Sequence, residues 1–243
     1  RVAPGAARLG ERGRHETLHL LAVGHGRQID ARVVRVGRLE EGDFVAAPRR
    51  LDTETDDDLD VNYRLSKANN AVRLQLPDEW TPRLARLVGY IVAEGYVDID
   101  DDNSGYVSVT NNDREVLKDV KDALDALGLN HMERAPHTGK DAREVICTSS
   151  EFVTFLRNLE SALLRCSSEQ RVPDAIQRAS PSIRKAFVKA YFEGEATVSR
   201  KEREINVASM SRELLEDVQS LLVSLGISSR VNDEKNGSYR LRV

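Results

Sequence analysis

The order of residues predicts an α+β architecture, one αββαββα unit used twice behind a small all-β segment. Three features carry this expectation. Arg114-Glu115-Val116-Leu117-Lys118-Asp119-Val120 leads through Leu124 and Leu127 to Gly128, and it is matched downstream by Arg212-Glu213-Leu214-Leu215-Glu216-Asp217-Val218, leading through Leu222 and Leu225 to Gly226. Both phrases place apolar residues on one helical face and close on glycine, the residue favoured just past a helix end. Ahead of each stands a run rich in small residues, Leu87-Val88-Gly89-Tyr90-Ile91-Val92-Ala93-Glu94-Gly95 and Val188-Lys189-Ala190-Tyr191-Phe192-Glu193-Gly194-Glu195-Ala196. Strand-like stretches follow each run and each helix, so the match extends over whole units and reads as an internal duplication.

Taken in order, residues 1–51 are rich in Arg, Gly and Val, and Ala31 to Val36 alternates as a strand does. Residues 52–76 open with Asp52-Thr53-Glu54-Thr55-Asp56-Asp57-Asp58, a polar run with nothing to bury, expected to be a linker or irregular. The first repeat spans 77–165. It holds the first small-residue helix, strands at 96–99 and 105–110, and a helix capped by Asp113. Strands at 130–134 and 143–148 and a helix near 150–164 complete it. Residues 166–243 supply a linker and the second repeat, with strands at 197–200 and 204–209, a helix capped by Ser211, and strands at 227–232 and 238–243. No counterpart of the last helix follows, so the second copy is read as truncated.

Composition bounds the function. A hydrophobic fraction of 40% supports a packed core. No apolar run is long enough to span a bilayer, and the first residues lack a signal-peptide pattern. Two cysteines, Cys147 and Cys166, are too few for a disulfide framework, so reduced thiols and a cytoplasmic location without membrane attachment are expected. The net charge of −4 gives no global sign of nucleic-acid binding, and any cationic footprint must be local.

The chemistry concentrates at the two small-residue runs. Gly89 and Ala93, and likewise Ala190 and Gly194, are four apart and share a helix face, where small side chains let two backbones approach closely. Each stripe is followed by a carboxylate at the helix C-terminus, Glu94 or Glu195, where the helix dipole disfavours negative charge and a second acid alongside adds repulsion. A divalent cation relieves both penalties, activates water and stabilises an in-line phosphodiester displacement. One such phrase alone is ordinary helix packing with a solvated glutamate. Two in the same position of a duplicated unit point to paired function.

Both runs resemble the nine-residue signature of the LAGLIDADG homing endonucleases, whose eighth position is the metal-binding acid, here Glu94 and Glu195. The resemblance implies two αββαββα halves in a single chain acting as a monomer, packed through these helices. Each half lays a four-stranded sheet in the major groove of a long double-stranded DNA site. It also implies magnesium or manganese at the scissile phosphates, held by the two acids with backbone oxygens of Ala93 and Gly194. Three departures stand out: both acids are Glu where Asp is usual, Ala196 replaces the closing glycine, and Arg171-Val172-Pro173 stands for a Lys-x-Ile-Pro block. Gln170 occupies the block's cation position, leaving Arg171 to assist cleavage.

Gly37 to Leu51 resembles the stretch that closes the N-terminal half of an intein splicing domain, with its Leu-x-x-Gly-Asp phrase and Pro-Arg pair. The resemblance implies an intein context with host exteins as partners. Splicing by the chain as it stands is not expected, because Arg1 is no nucleophile and Leu241-Arg242-Val243 is no His-Asn pair. DNA contacts are expected from Arg134, Lys140 and Arg143 in the first repeat, and from Arg200, Lys201, Arg203, Arg230, Lys235, Arg240 and Arg242 in the second, with strand alternation gathering them on one face. The leading expectation is a site-specific double-strand endonuclease. The alternatives are a DNA- or RNA-binding module without cleavage, or a degenerate intein insert.

Overall fold

The structure, a computed structural model, describes residues 54–69, 71–135 and 141–243, together with the backbone of two strands near the N-terminus. The chain divides into two compact units, Arg1–Pro48 and Arg49–Val243. Of the first, strands β1 (Leu20–Val23) and β2 (Asp30–Val33) are described, paired antiparallel with Leu20 opposite Val33. The intein-like phrase at 37–51 lies outside the described residues, as does Lys140.

The second unit contains the duplication. Its first half runs α1 (Pro82–Glu94), β3 (Gly95–Ile99), β4 (Gly105–Asn111), α2 (Arg114–Ala126), β5 (Met132–Arg134), β6 (Arg143–Cys147) and α3 (Ser150–Leu159), closed by a 3-10 turn, Ser161–Leu164. After a short helix, α4 (Asp174–Arg178), the second half runs α5 (Pro181–Glu195), β7 (Thr197–Ser199), β8 (Glu204–Ser209), α6 (Arg212–Ser224), β9 (Arg230–Asp233) and β10 (Tyr239–Arg242). The two four-stranded antiparallel sheets have matching orders, β3-β4-β6-β5 and β7-β8-β10-β9.

Local chemistry sets the helix ends. Thr81 caps α1 by accepting from the Leu84 N–H, with Pro82 in the first turn, where its missing N–H costs nothing. Asp113 and Ser211 cap α2 and α6 as expected. At the other end, Gly128 (φ +70°) and Gly226 (φ +81°) occupy the left-handed region. The Gly128 N–H donates to Asp125 O and the Leu129 N–H to Leu124 O. The Gly226 and Ile227 N–H groups repeat this on Val223 and Leu222. The same paired closure on both helices is a Schellman motif copied with the duplication.

One face of each sheet packs on the helices. Val107, Val109, Val145 and Cys147 line it in the first half and Val207 and Leu241 in the second, all buried. In the first half α3 and the 3-10 turn also lie against β3 and β4. Val97 and Val107 there are 5% and 3% exposed, whereas their counterparts Val198 and Ile205 are 66% and 39% exposed.

The described residues of 54–80 form no helix or strand beyond one bridge between Asp58 and Glu79, yet they do not behave as a free linker. The Asp56 N–H donates to Arg178 O at 3.0 Å, and Asp57 Oδ1 accepts from the Ser180 N–H at 2.6 Å. Leu74 and Trp80 are buried in the core. Buried Glu151 of α3 accepts from the N–H groups of Ser66 and Leu74, both at 2.9 Å, and from Arg73 at 2.5 Å. Burial pushes that carboxyl up, but the donated bonds outweigh it and hold Glu151 below the usual carboxylate range. The acidic run is therefore an anchor: its carboxylates and backbone strap the segment over the repeats.

Candidate active site

The two small-residue helices meet as their spacing predicts. A Cβ placed on Gly89 would lie 2.7 Å from Phe187 O and 2.9 Å from Ala190 Cβ, and one on Gly194 would lie 2.7 Å from Ala93 Cβ. The contacts are reciprocal, each glycine of one helix resting on the alanine of the other. Bulkier flanking residues, Leu87, Ile91, Phe187 and Tyr191, fill the core around the crossing and are 0–2% exposed.

This crossing delivers both helix ends, and with them Glu94 and Glu195, to one place. The two carboxylates line a common cleft of about 540 Å3 with Gln170, Tyr191, Ser209 and Asn236. A second cleft of about 480 Å3, on the first-repeat side, is lined by Glu94 again, with Asn111, Asn112, Asp141 and Gly194. A Cβ on Gly194 would stand 3.3 Å from Glu94 Cγ, so the Glu94 side chain runs over the partner helix at its glycine. Burial raises the Glu94 carboxyl above its ordinary value. Glu195 is pushed up to about 7, by burial first and then by the negative charge of Glu94.

Two raised carboxylates sharing a cleft are a suitable donor set for a hard divalent ion. Among the described residues no cluster of three or more His, Cys, Asp or Glu could hold a metal ion by itself. Magnesium fits this arrangement, since it binds through one or two carboxylates and takes its remaining oxygens from water and substrate phosphate. The last carbonyls of a helix lack intrahelical partners, which makes Ala93 and Gly194 reasonable sources of a further oxygen.

Arg171 is placed differently from the expectation. It forks onto Asp217 of α6, with Nε and Nη2 both 3.1 Å from the carboxylate, and is absent from the lining of both clefts, whereas Gln170 lines the larger one. Among the described residues, no Lys or Arg lines either cleft. Asp119, the counterpart of Asp217 in α2, likewise takes an arginine: Arg86 Nε at 2.5 Å. Arg86 also bonds Tyr90 and reaches Glu193 of α5 at 2.7 Å, and the Tyr90 hydroxyl donates to Glu193 at 2.7 Å. Burial, then the bond to Glu193, raises the Tyr90 phenol. This network, locking α1, α2 and α5 together, went unseen in the sequence. Its signal was an aspartate on the inward face of each amphipathic helix.

The expected DNA-contacting residues divide. Strand register puts Arg230, Arg240 and Arg242 on the outer, helix-free face of the second sheet. Arg200, Lys201 and Arg203 stand exposed in the β7–β8 turn, and Lys235 in the β9–β10 turn beside Asn236 of the cleft. In the first sheet Arg134 lies on the outer face, paired to Glu144 at 2.8 Å. Arg143 does not: it aligns with Asn111 and bonds Glu133, which also takes Lys121 of α2, so it belongs to the helix side. Alternation between adjacent strands separates the two arginines.

Comparison with known proteins agrees with this geometry. A model of the LAGLIDADG-like domain matches residues 81–160 and 182–243. The chain is similar to the DNA-directed RNA polymerase subunit Rpo1C of Methanocaldococcus jannaschii, 25% identical over 72% of this chain and 20% of that one. It is also similar to the tRNA-splicing ligase RtcB of Pyrococcus horikoshii, at 28% over 72% and 18%, and to a Thermococcus sp. DNA polymerase, at 31% over 72% and 10%. The chain thus spans about a fifth or less of the length of these relatives. Among solved structures, I-DmoI in complex with DNA and manganese superposes with a TM-score of 0.50 at 18% identity, covering 66% of this chain and 88% of that one, which establishes the shared fold.

Proposed function

The chain belongs to the family of LAGLIDADG-like domains, and we propose that it is a site-specific double-strand DNA endonuclease that hydrolyses phosphodiesters with magnesium or manganese. The observation that carries this reading is the reciprocal glycine–alanine crossing of α1 and α5, which brings Glu94 and Glu195 into one cleft beside the second sheet. A bound divalent ion would polarise the scissile phosphate and lower the pKa of water. The chain's own residues do the rest. Glu94 and Glu195 supply the anionic oxygens, and with Glu195 pushed up to about 7, ion binding there displaces a proton near neutral pH. Gln170, Ser209 and Asn236 line the larger cleft with polar groups able to orient water. The outer faces of the two sheets hold the duplex, long enough to span both halves. I-DmoI has been crystallised with manganese, magnesium and calcium and with its target DNA, and the same chemistry suits these carboxylates.

We further place the domain in an intein. The relatives that share this segment include an RNA polymerase subunit, a tRNA-splicing ligase and a DNA polymerase, and the segment occupies only 10–20% of each. A segment recurring inside proteins with unrelated tasks behaves as a mobile insert, and the exteins would be its covalent partners. A cytoplasmic location accords with substrate DNA and reduced thiols.

A second reading, binding without cleavage, is favoured by one observation: among the described residues no cation lines either cleft, with Arg171 held on Asp217. The deciding experiment incubates the protein with a library of duplexes spanning candidate insertion sites, with magnesium or manganese and with EDTA. Metal-dependent double-strand cuts that vanish in Glu94→Gln and Glu195→Gln support the endonuclease. Tight binding of one duplex without cleavage in either metal would establish the binder.

A further inference from the structure

The two outer sheet faces are built on the same register, so their residues can be compared position by position. In the second sheet Asn206 faces Arg242 across β8–β10, Ala208 faces Arg240, and Arg242 in turn faces Arg230 of β9. In the first, Ser108 faces Ile146, Thr110 faces Glu144, and Ile146 faces Met132. Val207–Leu241 and Val109–Val145 are the matching core pairs that fix the alignment. Where the second sheet carries Arg230, Arg240 and Arg242, the first therefore carries Met132, Glu144 and Ile146.

The difference continues across each sheet. On β3 and β4 the first face adds Tyr96 and Tyr106, with ring centroids 5.9 Å apart. Tyr96 and Met132 are each 57% exposed. The positions corresponding to the two tyrosines in the second sheet are Thr197 and Glu204. The turns at the far ends of the sheets from the clefts differ in sign: Asp100, Asp101 and Asp102 join β3 to β4, whereas Arg200, Lys201 and Arg203 surround Glu202 between β7 and β8. Arginines on both outer faces have carboxylate partners, Arg134 with Glu144 in the first and Arg240 and Arg242 with Glu234 in the second, so the contrast lies in their number, three against one, and in the turns.

We propose that the two halves read DNA by different physics: the first repeat reads a thymine-rich half-site through the methyl groups, and the second reads a guanine-containing half-site and carries the phosphate contacts. The inference rests on the endonuclease reading and deepens it by naming the target's chemistry. Apolar side chains in the major groove select the thymine C5-methyl group, while arginine pairs with guanine O6 and N7. An acidic turn gains nothing from phosphate, and a basic turn releases counterions on meeting it. The outer face of the first sheet presents tyrosine rings and a methionine where the second presents three arginines. The same groove geometry thus meets opposite surface chemistry in the two half-sites.

The test begins with selection of bound duplexes from a randomised pool by the full chain in EDTA buffer. The enriched site is expected to be asymmetric, thymine-rich on one side of its centre. Replacing thymine by deoxyuridine there removes only methyl groups and should weaken binding by about fourfold for each methyl buried. The same replacement in the other half should have no effect. Met132→Ser should reduce the uracil penalty at the base pair it faces without altering salt dependence. Arg230→Ala and Arg240→Ala should each lower the slope of log K against log salt by about 0.9 for every phosphate no longer neutralised, and leave the uracil penalty intact. Enrichment of a duplex whose two halves respond alike to uracil overturns this inference and leaves the endonuclease reading standing. Failure to enrich any duplex overturns both.

Discussion

Replacing Gly89 by alanine pits two known effects against each other, and the structure decides the sign. In the interior of a helix the change should stabilise by about 1 kcal/mol through propensity alone. Here the new methyl would sit 2.7 Å from the backbone oxygen of Phe187 and 2.9 Å from Ala190 Cβ. Neither neighbour is the tip of a flexible side chain, so the helices must separate, at a cost of about 1–3 kcal/mol for overpacking. The expected net result is a loss of about 1–2 kcal/mol, or a Tm lower by about 2–4 °C per kcal/mol in a domain of this size. Compensation sharpens the case. Ala190→Gly in the Gly89→Ala background removes one clash and leaves the carbonyl, so it should not restore stability. At the other crossing point the close neighbour of a Gly194 methyl is Ala93 Cβ, and Ala93→Gly should largely rescue Gly194→Ala. Denaturant melts of the four variants measure this, with cleavage assayed in parallel because spreading the helices displaces Glu94 from Glu195. A Gly89→Ala protein more stable than wild type would show that the helices do not meet there.

Glu195 lies above its ordinary value, at about 7, through burial and the charge of Glu94. A carboxyl raised in the folded state contributes stability that is complete at acid pH and lost as pH rises through about 7. The metal-free protein should therefore be less stable to denaturant at pH 8 than at pH 5.5, by about 1–2 kcal/mol once partial exposure is discounted. Glu195→Gln should flatten that profile, and a wild-type profile independent of pH would contradict the assignment. Glu151 has the opposite sign: it is lowered, so its contribution holds above the ordinary carboxylate value and fades on acidification. Glu151→Ala should release the strap at a cost of about 2–4 kcal/mol and open residues 54–80 to limited proteolysis. Val107→Thr in the covered half should cost about 1–3 kcal/mol, while Ile205→Thr at the exposed counterpart should change the melting midpoint little.

The duplicated frame was legible because its signals are local and doubled. Capping residues, terminal glycines and apolar faces repeat in register, and each appears in the structure where its chemistry puts it. The glycine–alanine crossing was legible for the same reason, since four-residue spacing alone defines a helix face. What escaped the sequence were contacts between elements far apart in the chain. The strap is fixed by Glu151, some 77–85 residues from the N–H groups it accepts, and no local pattern announces that. Arg171 matched a motif by neighbourhood, yet its partner Asp217 is 46 residues away and draws it aside. Arg143 and Arg134 both looked like strand cations. Only the pairing of β6 with β4 and β5 reveals that one faces the helices and the other lies on the outer, helix-free face.

The contrast between shared geometry and divergent surface follows from what constrains each. At the helix crossing each glycine of one repeat rests on the other helix, so a methyl added there meets backbone or Cβ at under 3 Å. Symmetry there is enforced by the protein itself. On the outer sheet faces Tyr96 and Arg230 are exposed, and the register tolerates methionine or arginine equally because neither disturbs the core pair beneath. Those positions are free to follow the ligand. A duplex target need not be palindromic, and two sheets fixed relative to each other by a symmetric interface can each match a different half-site. The reciprocal glycines thus do more than pack. They hold the carboxylates together while the outer faces diverge, the arrangement that the proposed reading of an asymmetric duplex requires.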